Sequence, residues 1–375
     1  MHAFPDSTAS AEALDADPAP KATRPPFLAL VARERVFLIL IALGFLAIGF
    51  IYENAFVARW VGFALAGYSA VANDSIQTIG TFIASNKQTP WWLLWLFIGG
   101  IFLATVGWSW VEFGGDVTHE RLTSKGFSEA PVTFSYLQVA APLVLMMLTR
   151  ARVPVSTTFL LLTCFATDPS GVGKVLTKSL MGYGVAFGVA IVAWFAVSKM
   201  LQRFIEAGPA HPGWRVAQWI SSGFLWSVWV MQDAANIAVY LPRSLSAVEF
   251  AVFGGVVFAG LGLLFRLGGD RVQKVVDEKA SVQDVRSATV IDFIYGIILY
   301  VFKMESNIPM STTWVFIGLL AGREIAMSIR GVSGRTGKHA AMLIGKDLLY
   351  VTIGLLVSVG VAMAVNDRFA EAILP

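Results

Sequence analysis

Two small clusters of carboxylate and amide side chains interrupt otherwise apolar stretches of the sequence. They are Asn73, Asp74 and Gln77, and then Gln232, Asp233 and Asn236. In each cluster an amide follows the carboxylate by three residues, so one helical turn places both groups on the same face. Hard cations are held by oxygen ligands of this kind. We therefore predict that both clusters bind cations, with Asp74 and Asp233 as the metal ligands if the cation is Na⁺.

Two hydroxyl-rich motifs are suited to binding an anion. Pro-Val-Ser-Thr-Thr occupies 154–158, and Pro-Met-Ser-Thr-Thr occupies 309–313. Proline suits the first turn of a helix and Ser or Thr suits its N-cap, and the free N–H groups of such a helix start attract anions. Ordinary helix capping is the alternative explanation, but the duplication favours function. The predicted anion ligands are Ser156, Thr157, Thr158, Ser311, Thr312 and Thr313.

The spacing of these motifs indicates an internal duplication. The two Ser-Thr-Thr motifs are 155 positions apart, and so are the Gly-Gly pairs that begin at 99 and 254. A Gly-Gly-Asp sequence at 114 recurs at 268. Several landmarks in the same order at a nearly constant separation are the signature of a repeat.

The composition places both motifs inside a membrane. Of the 375 residues, 56% are hydrophobic and only 14% are charged, whereas a soluble domain has about 25% charged residues. A run of about 20 apolar residues spans a bilayer as a helix. We predict an all-α polytopic membrane protein, in which a carboxylate at depth is costly and therefore indicates a functional site.

Eleven apolar segments are predicted, and two of them are short. The segments are 36–52, 57–83, 91–112, 131–150, 154–168, 174–200, 214–240, 247–266, 289–303, 309–327 and 341–365. The short ones are 154–168 and 289–303, and short segments at matching places in two halves are typical of a transporter binding site.

Each repeat holds five segments. Because five is an odd number, the second repeat enters the membrane from the opposite side to the first and has the inverted orientation, as in many transporters. The predicted organisation is a disordered cytoplasmic tail 1–35, an extra first span 36–56, repeat one 57–200, a linker 201–213, repeat two 214–365 and a short tail 366–375.

The basic residues indicate the direction of insertion. If the N-terminus is cytoplasmic and every segment crosses, 20 of the 28 Lys and Arg residues fall on the inner side. The eight on the outer side are Arg59, Arg121, Lys125, Lys174, Lys178, Arg243, Lys303 and Arg368. Cytoplasmic loops carry an excess of Lys and Arg, so we expect the N-terminus in the cytoplasm.

Other charges within or near the apolar segments are expected at segment ends, where long side chains reach the interface. They are Glu112, Asp292, Arg323, Glu324, Lys346 and Asp347.

The paired motifs resemble those of the inorganic phosphate transporter family (PiT). That family has a Gly-Ala-Asn-Asp-x-x-Asn motif near the start of each repeat and a Pro-x-Ser-Thr-Thr motif later in each repeat. The resemblance covers roughly residues 57–365, and it implies uptake of phosphate coupled to Na⁺ or H⁺, with sulfate as the cargo of some relatives. It also implies that the Asn-Asp motifs hold cations and that the Ser-Thr-Thr motifs help to hold the anion.

The sequence departs from the family pattern at several motif positions. Val71 and Val230 replace glycines, Gln77 and Gln232 replace asparagines, and Phe159 and Trp314 stand where the family often has histidine. These departures bear on the cargo and the coupling ion, because the geometry of the site decides both.

Other functions fit the sequence less well or remain open. A channel needs a continuous polar path, whereas polarity here is concentrated in two clusters. A membrane enzyme needs a nucleophile, a base or a metal cluster, and no His, Cys or paired-carboxylate set provides one. A sulfate permease, or a relative that has lost transport and acts as a sensor or scaffold, stays open.

The expected partners follow from this interpretation. They are an inorganic anion and the lipid bilayer, with Na⁺ as the candidate coupling ion and no other cofactor. No basic stripe suggests nucleic acid. We expect an integral protein of a bacterial inner membrane, and the sequence leaves the number of copies open, a homo-oligomer included.

The inverted arrangement makes a prediction about accessibility. In a chain without Cys164, Glu120→Cys and Glu278→Cys occupy equivalent loops of the two repeats, and a membrane-impermeant thiol reagent should label them from opposite sides. Labelling of both from one side would contradict the inverted repeat.

Overall fold

The computed structural model describes residues 26–123, 127–151, 153, 155–267, 284–305, 307–331, 337–365 and 370–371. These residues are largely helical, and none of them lies in a strand. Eight of the described helices are long and apolar enough to cross a membrane. The prediction of an all-α polytopic membrane protein is therefore confirmed.

Twelve helices are described, and several begin at recognisable caps. They are α1 (Pro26–Ile51), α2 (Ala55–Thr78), α3 (Gly80–Ser85), α4 (Trp91–Glu112), α5 (Tyr136–Arg150), α6 (Thr157–Leu160), α7 (Pro169–Glu206), α8 (Gly213–Ala238), α9 (Ala247–Arg266), α10 (Val285–Glu305), α11 (Thr312–Ile329) and α12 (Gly337–Val365). Capping boxes at Ser135 and Ser246 begin α5 and α9, and each satisfies two backbone donors that a helix start leaves unpaired. Arg121–Thr123 and Leu162–Phe165 form 3₁₀ turns.

The N-terminal region differs from its prediction. The described residues up to Leu43 belong to one unit of the fold, and the described residues from Gly44 onward belong to a second. In the first unit, α1 begins at Pro26, so the prediction of a disordered tail is wrong for 26–35. Proline is favoured in the first turn of a helix, which explains a start ahead of the apolar run. Residues 1–25 lie outside the described part of the chain.

Three predicted segments have different forms in the structure. The segment 57–83 is divided at Ile79 into α2 and α3. The segment 154–168 contains only the single turn α6 and a 3₁₀ turn. The segment 289–303 is not short, because α10 has 21 residues and continues through polar residues that hydropathy counts as a loop. The proposed linker 201–213 is partly helical, since α7 extends to Glu206.

Duplicated glycines join α4 to α9 through reciprocal contacts. The Phe258 ring of α9 lies over Gly99 of α4, and the Leu103 side chain of α4 lies 3.1 Å from a Cβ placed on Gly254 of α9. Phe258 follows Gly254 by four residues, as Leu103 follows Gly99. Gly99 is equivalent to Gly254 and Leu103 is equivalent to Phe258, so each repeat makes the same contact with the other. Two surfaces that contact each other reciprocally in this way are related by a two-fold axis.

Two glycines allow α11 to pack closely along α7. A Cβ added to Gly318 would clash with the carbonyl oxygen of Tyr183, and one added to Gly322 would clash with the carbonyl oxygen of Phe187. Small residues four apart are typical of membrane helices whose backbones approach each other. This contact fixes α11, whose first turn carries the second Ser-Thr-Thr motif.

Gly322→Ala should destabilise the protein, because the methyl group would meet a backbone oxygen that cannot move aside like a side chain. Overpacking of this kind costs about 1–3 kcal/mol. Gly184→Ala on α7 is the matched control, because no atom lies within 4 Å of a Cβ at that position. Thermal unfolding of the detergent-solubilised protein should show a lower midpoint for Gly322→Ala only. Equal midpoints for the two variants would contradict the close packing.

Candidate ion and anion site

The two predicted cation clusters lie near the C-terminal ends of their helices. Asp74 is four residues before the end of α2, and Asp233 is five residues before the end of α8. Both side chains are buried. The last carbonyl groups of a helix carry partial negative charge, so a carboxylate at this place adds to a region that attracts cations. The break at Ile79 resembles the interrupted helices that coordinate ions in transporters.

The first cluster is held by polar contacts from α5 and from the residue before Ser156. The Asn73 amide donates to Asp74 Oδ1 at 2.9 Å and to the carbonyl of Val155 at 2.8 Å. Its carbonyl oxygen accepts from Thr149 Oγ1 at 3.2 Å. The side chain of Gln77, the third predicted ligand of this cluster, lies outside the described residues.

The Ser-Thr-Thr motifs cap helices, as their sequence predicts. Ser156 accepts from the N–H of Phe159 at the start of α6, and Ser311 accepts from the N–H of Trp314 at the start of α11. The two helices differ in length, because α6 has four residues and α11 has 18. A substantial helix dipole therefore exists only at Ser311. Pro154 lies outside the described residues.

Each motif contacts the carboxylate of its own half. Thr157 Oγ1 lies 3.3 Å from Asp74 Oδ2, and Thr312 Oγ1 lies 2.7 Å from Asp233 Oδ2. In both halves, a helix end that carries a carboxylate thus faces a helix start that carries hydroxyl groups. Groups suited to a cation and groups suited to an anion are therefore within one hydrogen bond of each other.

Asn236 connects the two halves. Its amide nitrogen donates to Asp233 Oδ1 at 2.6 Å, to Thr157 Oγ1 at 2.9 Å and to Thr158 Oγ1 at 3.2 Å. Because Thr157 also donates to Asp74, a continuous path of hydrogen bonds joins the two carboxylates. Members of both predicted sets are thus joined in one buried hydrogen-bonded cluster, namely Asp74, Thr157, Thr158, Asp233 and Asn236.

One oxygen of this site has no hydrogen-bond partner. Among the described residues, Asn236 Oδ1 is buried and accepts no hydrogen bond. A buried polar atom left without a partner costs about 1–3 kcal/mol, and each such atom in a native protein calls for an explanation. A carbonyl oxygen beside two carboxylates is suited to serve as a ligand to a bound cation.

The two motifs also contact each other reciprocally. Thr158 Oγ1 donates to the carbonyl of Met310 at 3.1 Å, and Thr313 Oγ1 donates to the carbonyl of Val155 at 3.3 Å. These residues exchange under the 155-residue offset, since 158 and 313 are equivalent, as are 155 and 310. The contact is therefore a second instance of the two-fold relation seen between α4 and α9.

An aromatic pair occupies the positions where the resemblance would place histidines. The rings of Phe159 and Trp314 pack edge to face, with centroids 6.3 Å apart. This pair is also equivalent under the 155-residue offset. The departure from the family pattern thus replaces two titratable groups with one apolar contact.

Comparisons with known proteins identify the fold. No protein-family model and no curated protein matches the chain. A solved structure described as "The sodium-dependent phosphate transporter" is similar over 85% of this chain and 99% of that chain, with a TM-score of 0.55 and 18% sequence identity. The chain has the fold of that transporter. The recognition of PiT-like architecture from the paired motifs is thereby supported at the level of fold.

Sequence reasoning missed two buried cations beside the second motif. Arg121 Nη1 and Lys178 Nζ both donate to the carbonyl of Ile308, at 2.8 Å and 3.0 Å. Arg121 Nη2 also donates to Gln232 Oε1. Both side chains are buried, although the sequence places them with the outer loops. Their separation from the motif along the chain leaves no local signal that could have revealed the contact.

Other charges expected at segment ends are buried instead. Asp292 accepts hydrogen bonds of 2.5 Å from Thr81 and from Ser222. Arg323 and Glu324 contact each other at 3.3 Å inside the protein. The expectation of an interfacial position is therefore wrong for these three. Other helices supply the partners of Asp292, and Arg323 and Glu324 pair with each other within α11. Glu112 and Lys346 are exposed.

The reciprocal hydrogen bonds predict a loss of stability when either hydroxyl is removed. Thr158→Val and Thr313→Val should each destabilise the protein by about 1 kcal/mol or more, with the larger effect at Thr158, which also accepts a hydrogen bond from Asn236. Thr177→Val is the control, because Thr177 Oγ1 bonds only within its own helix at an exposed position. Thermal midpoints should fall for both site variants and stay near the parent value for the control. A fall for only one of the pair would contradict the reciprocal contact.

Proposed function

We propose that this protein is a secondary transporter that couples uptake of an inorganic anion to a cation, with phosphate as the favoured cargo. The observation that carries the proposal is the buried path from Asp74 through Thr157 and Asn236 to Asp233, with Asn236 Oδ1 left without a hydrogen-bond partner. A cation bound between the carboxylates would satisfy that oxygen.

The carboxylates are assigned to the cation. Asp74 and Asp233 would repel an anion placed beside them unless a cation or proton intervenes. Carboxylate and amide oxygens are also the ligands that a hard cation prefers. Asn73, Gln77, Gln232 and Asn236 complete the proposed cation ligands.

The hydroxyl motifs are assigned to the anion. The N-terminus of α11 supplies a helix dipole, and the guanidinium of Arg121 adds positive charge at Ile308, three residues before Ser311. A phosphate or sulfate oxygen accepts hydrogen bonds from hydroxyl and backbone N–H groups. Ser156, Thr157, Thr158, Ser311, Thr312 and Thr313 are the proposed donors.

Coupling follows from the short distance between the two kinds of ligand. A cation bound at Asp74 lowers the electrostatic barrier to the anion at Thr157, and the anion in turn strengthens cation binding, because linkage is reciprocal. A typical coupling of about 1–3 kcal/mol changes affinity by a factor of about 5–150.

The choice of phosphate and Na⁺ rests on the similarity of the chain to a known transporter and to the motifs of a known family. The similar structure is described as a sodium-dependent phosphate transporter, and the paired motifs resemble the PiT family, of which we propose this chain is a divergent member. A bacterial inner-membrane location, a cytoplasmic N-terminus and two inverted repeats belong to the same proposal. Sulfate and H⁺ are the alternatives for cargo and driving ion.

The decisive experiment is uptake by the purified protein in liposomes. Radiolabelled phosphate and sulfate are tested separately under an inward Na⁺ gradient and an inward H⁺ gradient. We expect accumulation of phosphate above its external concentration under one of these gradients. Accumulation of sulfate alone would show that sulfate is the cargo. Equilibration of the anion across the membrane without accumulation would contradict coupling.

Neutralising either carboxylate should stop accumulation. Asp74→Asn and Asp233→Asn preserve size but remove a charge that links the cation to the anion, so gradient-driven uptake should fall to the level of empty liposomes. Glu112→Gln is the control, because it neutralises an exposed carboxylate at the end of α4. Parent-like uptake by both aspartate variants would show that these carboxylates are structural.

A further inference from the structure

Arg121 brings a positive charge from a loop into the second half of the site. It lies in the 3₁₀ turn after α4, and its side chain has no exposed surface. Asp116 holds the preceding turn by accepting from the N–H groups of Thr118 at 2.8 Å and Glu120 at 2.7 Å. The loop thus fixes where the guanidinium lies.

The guanidinium contacts the cation cluster directly. Its Nη2 donates to Gln232 Oε1, while the Gln232 amide donates to the carbonyl of Leu299 at 2.9 Å. Gln232 stands where the PiT pattern has an asparagine, and its extra methylene extends the amide toward Arg121. Gln232 Oε1, which the sequence analysis predicted to bind a mobile cation, therefore already accepts a hydrogen bond from a fixed cation, the Arg121 guanidinium.

The guanidinium carries a positive charge, because arginine stays protonated in proteins. Asp233 directly follows Gln232 in α8. The turn therefore brings this charge to the part of the helix that carries the second carboxylate.

The first half has a different arrangement. Asn73, the equivalent of Gln232, bonds to the Asp74 carboxylate, to the carbonyl of Val155 and to the hydroxyl of Thr149. Arg121 follows the first Gly-Gly-Asp sequence by five residues, and the residue at the same distance after the second is Val275. The sequence therefore provides a cation at this position in one repeat and an apolar residue in the other.

We propose that Arg121 takes the place of one coupling cation, so that its guanidinium neutralises Asp233 and a single mobile cation, bound at Asp74, couples each anion. This inference rests on the proposed function. In a site with two carboxylates and no arginine, each carboxylate would need its own mobile cation before the anion could bind. A fixed charge at Asp233 removes one of these ions from the transport cycle and leaves the anion dependent on the other.

The Na⁺ dependence of phosphate binding measures the number of mobile cations. Binding of radiolabelled phosphate to the purified full chain is followed across Na⁺ concentrations, with choline holding ionic strength constant. The parent should show a Hill coefficient of about 1 for Na⁺. Arg121→Gln should raise it toward about 2 and raise the half-saturating Na⁺ concentration by about 5-fold or more, because Asp233 then needs an ion.

A further variant separates charge from shape. Arg121→Lys keeps a cation and should keep the parent's Hill coefficient. A coefficient in Arg121→Lys like that of Arg121→Gln would overturn the proposal.

Asp74→Asn decides the matter if Arg121→Gln does not fold. If Asp74 binds the single mobile cation, this variant should lose all Na⁺ dependence of phosphate binding. A remaining dependence with a Hill coefficient of about 1 would overturn the proposal, because a second mobile cation would then be present.

Three results would exclude Arg121 as a substitute cation. They are a parent Hill coefficient of about 2, an unchanged coefficient in a folded Arg121→Gln protein, and a weakened phosphate affinity at every Na⁺ concentration without a change in slope. The last would make Arg121 an anion ligand. These results differ from those expected if the proposed function itself is wrong. In that case the parent protein would bind phosphate without any dependence on Na⁺ or H⁺.

Discussion

Removing the carboxylates of Asp74 and Asp233 from water costs several kcal/mol per charge unless each is hydrogen-bonded or paired, and the surrounding helices supply those partners. Thr157 and Thr312 donate to them from the starts of two other helices. Asp74 lies about one turn before the break at Ile79, and α11, which carries Thr312, is held against α7 through Gly318 and Gly322. These helix ends and helix starts meet where the two carboxylates have their hydrogen-bond donors.

The residue types predicted much of this arrangement. The paired Asp motifs and the paired Ser-Thr-Thr motifs are local patterns with local physics, namely a shared helix face and an N-cap, and the structure brings them into contact. The helices α4 and α9 have the predicted bounds, 91–112 and 247–266. Pro90 directly precedes the first apolar run, and the Ser246 cap directly precedes the second. Their roles in binding ions remain predictions.

What the sequence did not predict depends on contacts between distant segments. Arg121 and Lys178 read as outer-loop cations, because no local pattern shows that both reach the carbonyl of Ile308. Asp292 read as a segment end, since its hydroxyl partners Thr81 and Ser222 come from other helices. Hydropathy gives the cost of burying a charge and does not show which distant group offsets that cost.

The reciprocal bonds of Thr158 with Met310 and of Thr313 with Val155 have a consequence for the history of the chain. If the halves descend from one duplicated segment, these bonds were once the isologous interface of a homodimer, in which every substitution appeared twice. A dimer of identical copies could not have carried a charge at one site and a valine at the other. Fusion into a single chain is what allows equivalent positions of the two sequences to differ, as Arg121 and Val275 do.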